Sequence, residues 1–144
     1  MTAADLPPGF WLWPEDQTWA QPLLGGHVLV GITALGLKAS GDIYMCRPKP
    51  VGSEVAQGRS IGVVELSKSI VSVKSPLSGV VVRVNVALED RPELIHQSPY
   101  DAGWLVELAP SKLDGEKPRL AVDEAAIREA QARWVWFNKL DTAP

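Results

Sequence analysis

The sequence predicts a mainly β protein with short helices and one longer helix at its C-terminal end. Short runs rich in Val and Ile, bounded by glycine, proline or serine, recur through residues 10–110, as is typical of short strands. Beyond residue 123 the apolar residues recur at helical spacing instead. A chain of 144 residues suits one compact domain. We therefore expect a single domain, 1–144, with a β core over 10–110 and a linker and helix over 111–140.

The first part of the chain reads as three strands and one short helix. Thr33 is placed to cap the helix, which ends at Ser40-Gly41. The prolines at 48 and 50 end the third strand, because proline cannot donate a ladder hydrogen bond. The strands are predicted over residues 10–13, 27–32 and 42–47, and the helix over residues 34–39.

The only cysteine, Cys46, lies in the third strand and alternates with Tyr44, so we expect the two to share a face. A lone cysteine on a strand usually acts as a small buried hydrophobe. The alternative is a thiol that exchanges with a disulfide-bearing arm.

The centre of the chain, residues 60–79, predicts a hairpin. Two apolar, β-branched runs flank a polar break that contains Ser67, Lys68 and Ser69, and a tight turn is the simplest connection between them. Lys68 is thus expected at or beside the tip, in water. Such a lysine is ordinarily a solvated loop residue, and the alternative is an attachment point for a mobile prosthetic group.

The last part of the chain predicts two further strands and the C-terminal helix. The strands cover residues 80–84 and 103–108, with a short helical turn between them. Asp123 can cap a helix that runs to about Phe137. An apolar stripe on this helix should pack on the β core, whereas Trp136 falls off the stripe and should be exposed. The stripe consists of Ile127, Ala130, Trp134 and Phe137.

Composition excludes several classes of function. The 14 basic and 17 acidic residues are interspersed, so no basic face is available for nucleic acid. No apolar run has membrane-spanning length and no leader pattern is present, so we expect a cytoplasmic protein without membrane contact. A single cysteine and two distant histidines give no metal-ligand cluster. No catalytic triad, carboxylate pair or phosphate loop occurs at suitable spacing, so we do not expect an enzyme.

Three spaced motifs surround the predicted hairpin: G-x-x-V-x-x-G over residues 52–58, E-x-x-K over 65–68 and S-P-x-x-G over 75–79. In this order they resemble a lipoyl or biotinyl attachment domain. The chain is further similar to the H-protein of the glycine cleavage system and its lipoate-binding relatives, over about residues 8–108. The further matches include Val30-Gly31-Ile32-Thr33, Gly41-Asp42-Ile43, Pro92-Glu93-Leu94, Pro99-Tyr100 and Gly103-Trp104-Leu105. The resemblance implies a barrel-sandwich hybrid fold of the lipoyl/biotinyl type.

The resemblance also implies that lipoic acid is joined covalently to Lys68, which makes the protein a carrier. Ser67 and Ser69 stand where biotinyl domains typically place methionines, and Glu65 matches the acidic residue that lipoyl-attaching enzymes recognise. Glu65 could equally be a solvated carboxylate at a strand end. The implied partners are a lipoate–protein ligase or lipoyl assembly enzymes, and a carrier that visits several enzymes is expected to be a monomer.

Four departures from the H-protein pattern bear on the pathway. Gln17 replaces a histidine, Ala34-Leu35 replaces Asp-Tyr, Ser72 replaces an acidic residue and His96 replaces an asparagine. We expect these positions to surround the hairpin or the cleft for the loaded arm. They favour the lipoate-binding branch that serves the heterodisulfide-reductase-like sulfur-oxidation complex. The alternatives are a glycine cleavage H-protein that carries the aminomethyl group between the glycine cleavage enzymes, and an unlipoylated docking or regulatory module.

Overall fold

In the computed structural model, which describes residues 2–140, the chain forms two antiparallel sheets and five short to medium helices. Met1 and residues 141–144 of the predicted domain lie outside the described residues. The larger sheet has six strands in the order β1-β2-β3-β9-β8-β5, and the smaller has three in the order β4-β6-β7. The strands are β1 Trp11–Trp13, β2 Thr18–Pro22, β3 Val28–Ile32, β4 Met45–Pro48, β5 Glu54–Val55, β6 Ser60–Glu65, β7 Ile70–Lys74, β8 Gly79–Val84 and β9 Val106–Pro110.

The helices lie between and after the strands. Thr33 caps the first helix as predicted, since its hydroxyl accepts a hydrogen bond from the Gly36 N–H at 3.0 Å. The bounds are α1 Ala34–Ser40, α2 Ala87–Asp90, α3 Leu94–Gln97, α4 Leu113–Glu116 and α5 Glu124–Asn138, with a 3₁₀ turn at Lys117–Arg119. Within residues 2–140 no helix combines the length and the apolar character needed to cross a membrane.

The strand predicted over residues 42–47 is shorter and later than expected. It begins at Met45 and includes Pro48, which is tolerated because β4 lies at the edge of its sheet. The prediction that Tyr44 and Cys46 share a face is wrong, since Tyr44 is 60% exposed and Cys46 only 4%. Tyr44 precedes the strand, and only its backbone N–H reaches the sheet, donating to the Glu65 carbonyl at 2.8 Å.

The hydrophobic core fills the space between the two sheets. Its fully buried members come from both sheets and from the segments that link them. Because every strand contributes inward-facing side chains, the core fixes the smaller sheet against the larger one. The members with no exposed surface include Ala20, Val30, Ile61, Leu77, Val81, Ile95, Val106 and Leu108.

Helix α5 packs on the outside of the larger sheet. Asp123 caps it through a 2.8 Å hydrogen bond from the Ala126 N–H, as predicted. Ile127 joins a small apolar cluster with Leu12 and Ala121. The backbones of Leu12, on β1, and Ala121 exchange two hydrogen bonds, which hold the segment before α5 against the sheet. Ile127 and Gln131 are the buried residues of the helix.

The predicted apolar stripe of α5 is wrong at its end. Phe137, which was expected to pack on the β core, is 74% exposed. Trp136 is 80% exposed, as predicted. The packed face is set by Ile127 and Gln131, four residues apart, and Phe137 lies about 100° around the helix from the centre of that face. The end of the helix therefore leaves Trp136 and Phe137 largely in solvent, whereas Trp134 is half-buried.

Candidate functional site

The hairpin formed by β6 and β7 presents Lys68 at its turn. The two strands pair up to Glu65 and Ile70, and the Leu66 N–H donates to the Ser69 carbonyl at 2.8 Å to close the turn. Ser67 and Lys68 are the two residues at the tip. The Lys68 side chain is exposed and has no hydrogen bond or ion pair with any residue between 2 and 140. The amine is therefore open to a modifying enzyme.

The base of the hairpin is stiffened by the neighbouring strand. β6 pairs with β7 on one side and with β4 on the other, so it is the central strand of its sheet. Gly62 lets β6 lie close against β4: its φ of 154° lies where side chains are rarely tolerated, and a Cβ there would lie 2.6 Å from the Arg47 carbonyl oxygen. A register shift between Ser60 and Gly62 accompanies this contact. The turn thus projects from a firmly paired support.

The four residues predicted for the site are adjacent in space as well as in sequence. Glu65 ends β6, and its half-buried carboxylate has no hydrogen bond or ion pair with the described residues. Ser67 and Ser69 flank Lys68 and are exposed. The hairpin brings these side chains to one end of the smaller sheet. Their roles in attachment and recognition stay predictions.

The S-P-x-x-G motif supports the hairpin from below. The buried Ser75 exchanges backbone hydrogen bonds with the turn before β6: its N–H donates to the Arg59 carbonyl at 2.7 Å, and its carbonyl accepts from the Gly58 N–H at 2.8 Å. Ser78 donates through its N–H at 2.8 Å and its hydroxyl at 2.5 Å to the two carboxylate oxygens of Glu116, on α4. Sequence reasoning did not find Glu116, because it lies in a turn-rich segment that resembles a solvated linker.

Gln17 does not line a cleft, contrary to expectation. It is 1% exposed, and its Nε2 donates to Oε1 of Gln131 at 2.7 Å while its Oε1 accepts from the Thr33 hydroxyl at 2.8 Å. Of the pair Ala34-Leu35, Leu35 is fully buried and Ala34 is half-buried. Gln17 and Leu35 therefore belong to the interior. Gln131 is a further residue that the sequence did not reveal. It is polar, so it was not counted in the apolar stripe of α5, yet it lies on the packed face of the helix.

The other two departures do lie near the hairpin strands. Ser72 is on β7, opposite Val63 of β6. Nε2 of His96, on α3, accepts a hydrogen bond at 3.0 Å from the N–H of Ile43, which lies two residues before the start of β4. His96 therefore holds the entry to the edge strand that borders the hairpin.

Cys46 lies in β4 opposite Val64 of the hairpin, facing the core. Burial raises the pKa of its thiol to about 12, so the thiolate is scarce near neutral pH. The interpretation of Cys46 as an exchanging thiol is therefore wrong, and it acts as a small buried hydrophobe. Among residues 2–140 no three potential metal ligands lie close enough to hold an ion.

Comparison with known proteins identifies the family. The family model for the glycine cleavage H-protein matches residues 12–133. The glycine cleavage system H protein of Saccharophagus degradans is 40% identical over 110 residues, which cover 76% of this chain and 85% of that protein. The corresponding protein of Corynebacterium jeikeium is 44% identical over 111 residues, covering 75% and 85%.

The fold agrees with this assignment. The crystal structure of a glycine cleavage system H protein from Mycobacterium marinum superposes with a TM-score of 0.73 at 31% identity, covering 94% of this chain and all of that one. The likeness confirms the predicted mainly β, lipoyl-like barrel-sandwich fold with short helices and a C-terminal helix. With a matched family model, relatives of about 40% identity and the same fold, the chain belongs to the glycine cleavage H-protein family.

Proposed function

We propose that the chain is a lipoyl carrier, with lipoic acid in amide linkage to Nζ of Lys68, and that it is not itself a catalyst. The observation that carries this proposal is a solvent-exposed lysine at the turn of a firmly paired hairpin, without a hydrogen bond or ion pair among residues 2–140, in a member of the H-protein family. Bound lipoate supplies a two-electron disulfide/dithiol couple on a flexible arm. The protein contributes a fixed attachment point, so that the arm moves and its base does not.

The residues around Lys68 fit the attachment of an acyl group. Amide formation joins Nζ to the lipoyl carbonyl carbon, displaces the activating group from that carbon and releases a proton from the amine. The amine must be accessible and neutral for this attack, and Ser67 and Ser69 are small enough to leave it open. We propose that Glu65, three residues before the lysine, is recognised by the attaching enzyme.

For the pathway, we propose service to the glycine cleavage enzymes. The relatives of 40–44% identity carry that name. Among the departures that favoured the sulfur-oxidation branch, Gln17 and the Leu35 half of Ala34-Leu35 are buried, where a partner cannot touch them. The role in heterodisulfide-reductase-like sulfur oxidation stays a prediction. So do the monomeric state and the cytoplasmic location.

Intact mass spectrometry tests the carrier assignment. Protein produced with an active lipoylation system should gain the mass of one lipoyl group, and Lys68→Ala should not, because the acceptor amine is gone. Lys49→Ala is a suitable control, since Lys49 is also exposed and should leave the modification intact. Unmodified wild-type protein under these conditions would instead support the docking or regulatory module. A second assay then tests the pathway. A glycine decarboxylase should transfer the aminomethyl group of glycine to the lipoylated protein, and the CO₂ released in the presence of that protein measures the transfer.

A further inference from the structure

A row of three side chains crosses the smaller sheet directly below the turn that carries Lys68. Met45 of β4 pairs with Glu65 of β6, which pairs with Ile70 of β7. Residues paired across neighbouring strands point to the same face of a sheet. In the next row Cys46 and Val64 are each 4% exposed and face the core, and only the third member, Val71 on the edge strand β7, is partly open to solvent at 44%. Met45, Glu65 and Ile70, here called the tip row, therefore face outward.

The tip row is unusually apolar for a solvated sheet face. Ile70 is 65% exposed and Met45 38% exposed, although neither position requires an apolar side chain for packing. Between them lies the carboxylate of Glu65, which has no hydrogen bond or ion pair within residues 2–140. An acidic group flanked by apolar side chains binds a cation strongly once a partner surface excludes water. The row thus has the composition of an interface centre.

We propose that the apolar members of the tip row, Met45 and Ile70, form a docking surface for the enzyme that acylates Lys68, on either side of the Glu65 carboxylate already proposed as its recognition element. This inference rests on the proposed carrier function. An enzyme that joins an acyl group to Nζ must bring its active site to within bonding distance of that atom, so the rim of the active site must cover the residues that adjoin the turn. Glu65 lies three residues before Lys68 and Ile70 two residues after it. Met45, two strands from Ile70, is about 10 Å away at the usual strand spacing.

The chemistry of the tip row defines its partner. The complementary surface carries an arginine or lysine that pairs with the Glu65 carboxylate, and apolar side chains around it that cover Met45 and Ile70. Burying the apolar groups on both sides adds affinity, and the charge pair fixes the orientation of the hairpin in the active site. The tip row would then act on binding of the carrier and not on the chemical step.

Steady-state acylation of the unmodified carrier tests this proposal, with a lipoate–protein ligase, lipoate and ATP as the probe. The variants are Met45→Gln and Ile70→Thr, singly and together, and product is measured by intact mass. Loss of apolar burial should raise the KM for the carrier about three- to tenfold in the double variant, with kcat retained. Leu24→Ser is the matched control, because Leu24 is fully exposed in the turn between β2 and β3 of the other sheet and its loss should leave KM unchanged.

The outcomes separate this inference from the proposed function. A double variant whose KM stays within twofold of wild type, while wild type is acylated at Lys68, overturns the docking surface and leaves the carrier assignment standing. A KM that rises equally in Leu24→Ser also overturns it, because the effect would not be specific to the tip row. If wild type is not acylated at Lys68, the proposed function and the docking surface both fail. Thermal unfolding of each variant verifies that the fold is retained.

Discussion

The buried amide pair of Gln17 and Gln131 supports a quantitative prediction about how helix α5 is held on the larger sheet. Nε2 of Gln17 donates to Gln131 at 2.7 Å and to the Pro14 carbonyl at 3.0 Å, and its Oε1 accepts from the Thr33 hydroxyl at 2.8 Å. The two glutamines are 1% and 0% exposed. Gln17→Leu keeps most of the side-chain volume and removes all three hydrogen bonds. Nε2 of the buried Gln131 already has no partner among the described residues, so the change leaves its Oε1 unpaired as well.

The expected loss of stability follows from the groups left unpaired. Each buried polar group without a partner costs about 1–3 kcal/mol, and the change strands the Gln131 oxygen and the Thr33 hydroxyl proton. We therefore expect Gln17→Leu to lower the free energy of unfolding by about 2–6 kcal/mol, a large part of the roughly 5–15 kcal/mol typical of a domain. Adding Gln131→Leu removes the stranded amide as well, so the double variant should recover about 1–3 kcal/mol of that loss.

Urea unfolding followed by tryptophan fluorescence measures all four members of this double-mutant cycle. The chain has six tryptophans, and Trp13 and Trp19 are buried, so unfolding changes their emission. Gln97→Leu, at an exposed position, is the control and should change stability by less than about 0.5 kcal/mol. A Gln17→Leu loss below 0.5 kcal/mol, or a double variant whose loss equals the sum of the single losses, would refute the reasoning.

Three further predictions concern the hairpin and the sheets. Gly62→Ala should lower the free energy of unfolding by roughly 2–4 kcal/mol, because its Cβ would collide with a backbone carbonyl at a strained φ; an unchanged urea midpoint would contradict the close approach. The hydrogen bond from His27 and the ion pair with Arg83 lower the pKa of Glu107 from 4.5. The ionised Glu107 therefore stabilises the folded state fully above pH 4.5, and this stabilisation is lost as the pH falls through the lowered pKa. Glu107→Gln should accordingly weaken the acid dependence of the urea midpoint, and an identical acid profile would argue against the pairing. With the pKa of its thiol at about 12, Cys46 should react with dithionitrobenzoate at pH 8 only when the protein opens, and rapidly in urea; equal rates in both would show an exposed thiol.

The hairpin could be predicted from the sequence because its determinants are local. Two β-branched runs close to each other, with a polar break between them, have few other arrangements, and the break contains Lys68. The edge strand β4 was misplaced for a local reason too. Proline was taken to end a strand, but at a sheet edge Pro48 can remain within it, opposite Gly62. Strand β2 was missed because Gln21 and Pro22 weaken its pattern, while pairing on both sides stabilises it.

The supporting residues could not be predicted, because their partners are distant in sequence. Gln131 meets Gln17 across 114 positions, and Glu116 meets Ser78 across 38. A polar residue on a helix is ordinarily assigned to the solvent face, so Gln131 and Glu116 carry no signal of burial by themselves. Only the packing of α5 and α4 on the sheets shows that Gln131 is enclosed beside Gln17 and that the half-buried Glu116 is held against Ser78.

The same packing changes what the departures from the H-protein pattern mean. A substitution alters partner choice only where a partner can touch it, and Gln17 meets its need for hydrogen bonds inside the molecule, through Gln131 and Thr33. A change at such a position is explained by a compensating interior contact and needs no new pathway. Exposed apolar side chains beside Lys68 are different, because Ile70 gains little from the fold and is positioned to meet whichever enzyme reaches the amine. The specificity of this carrier should therefore be sought in the few side chains around the turn, where substitution changes binding without changing stability.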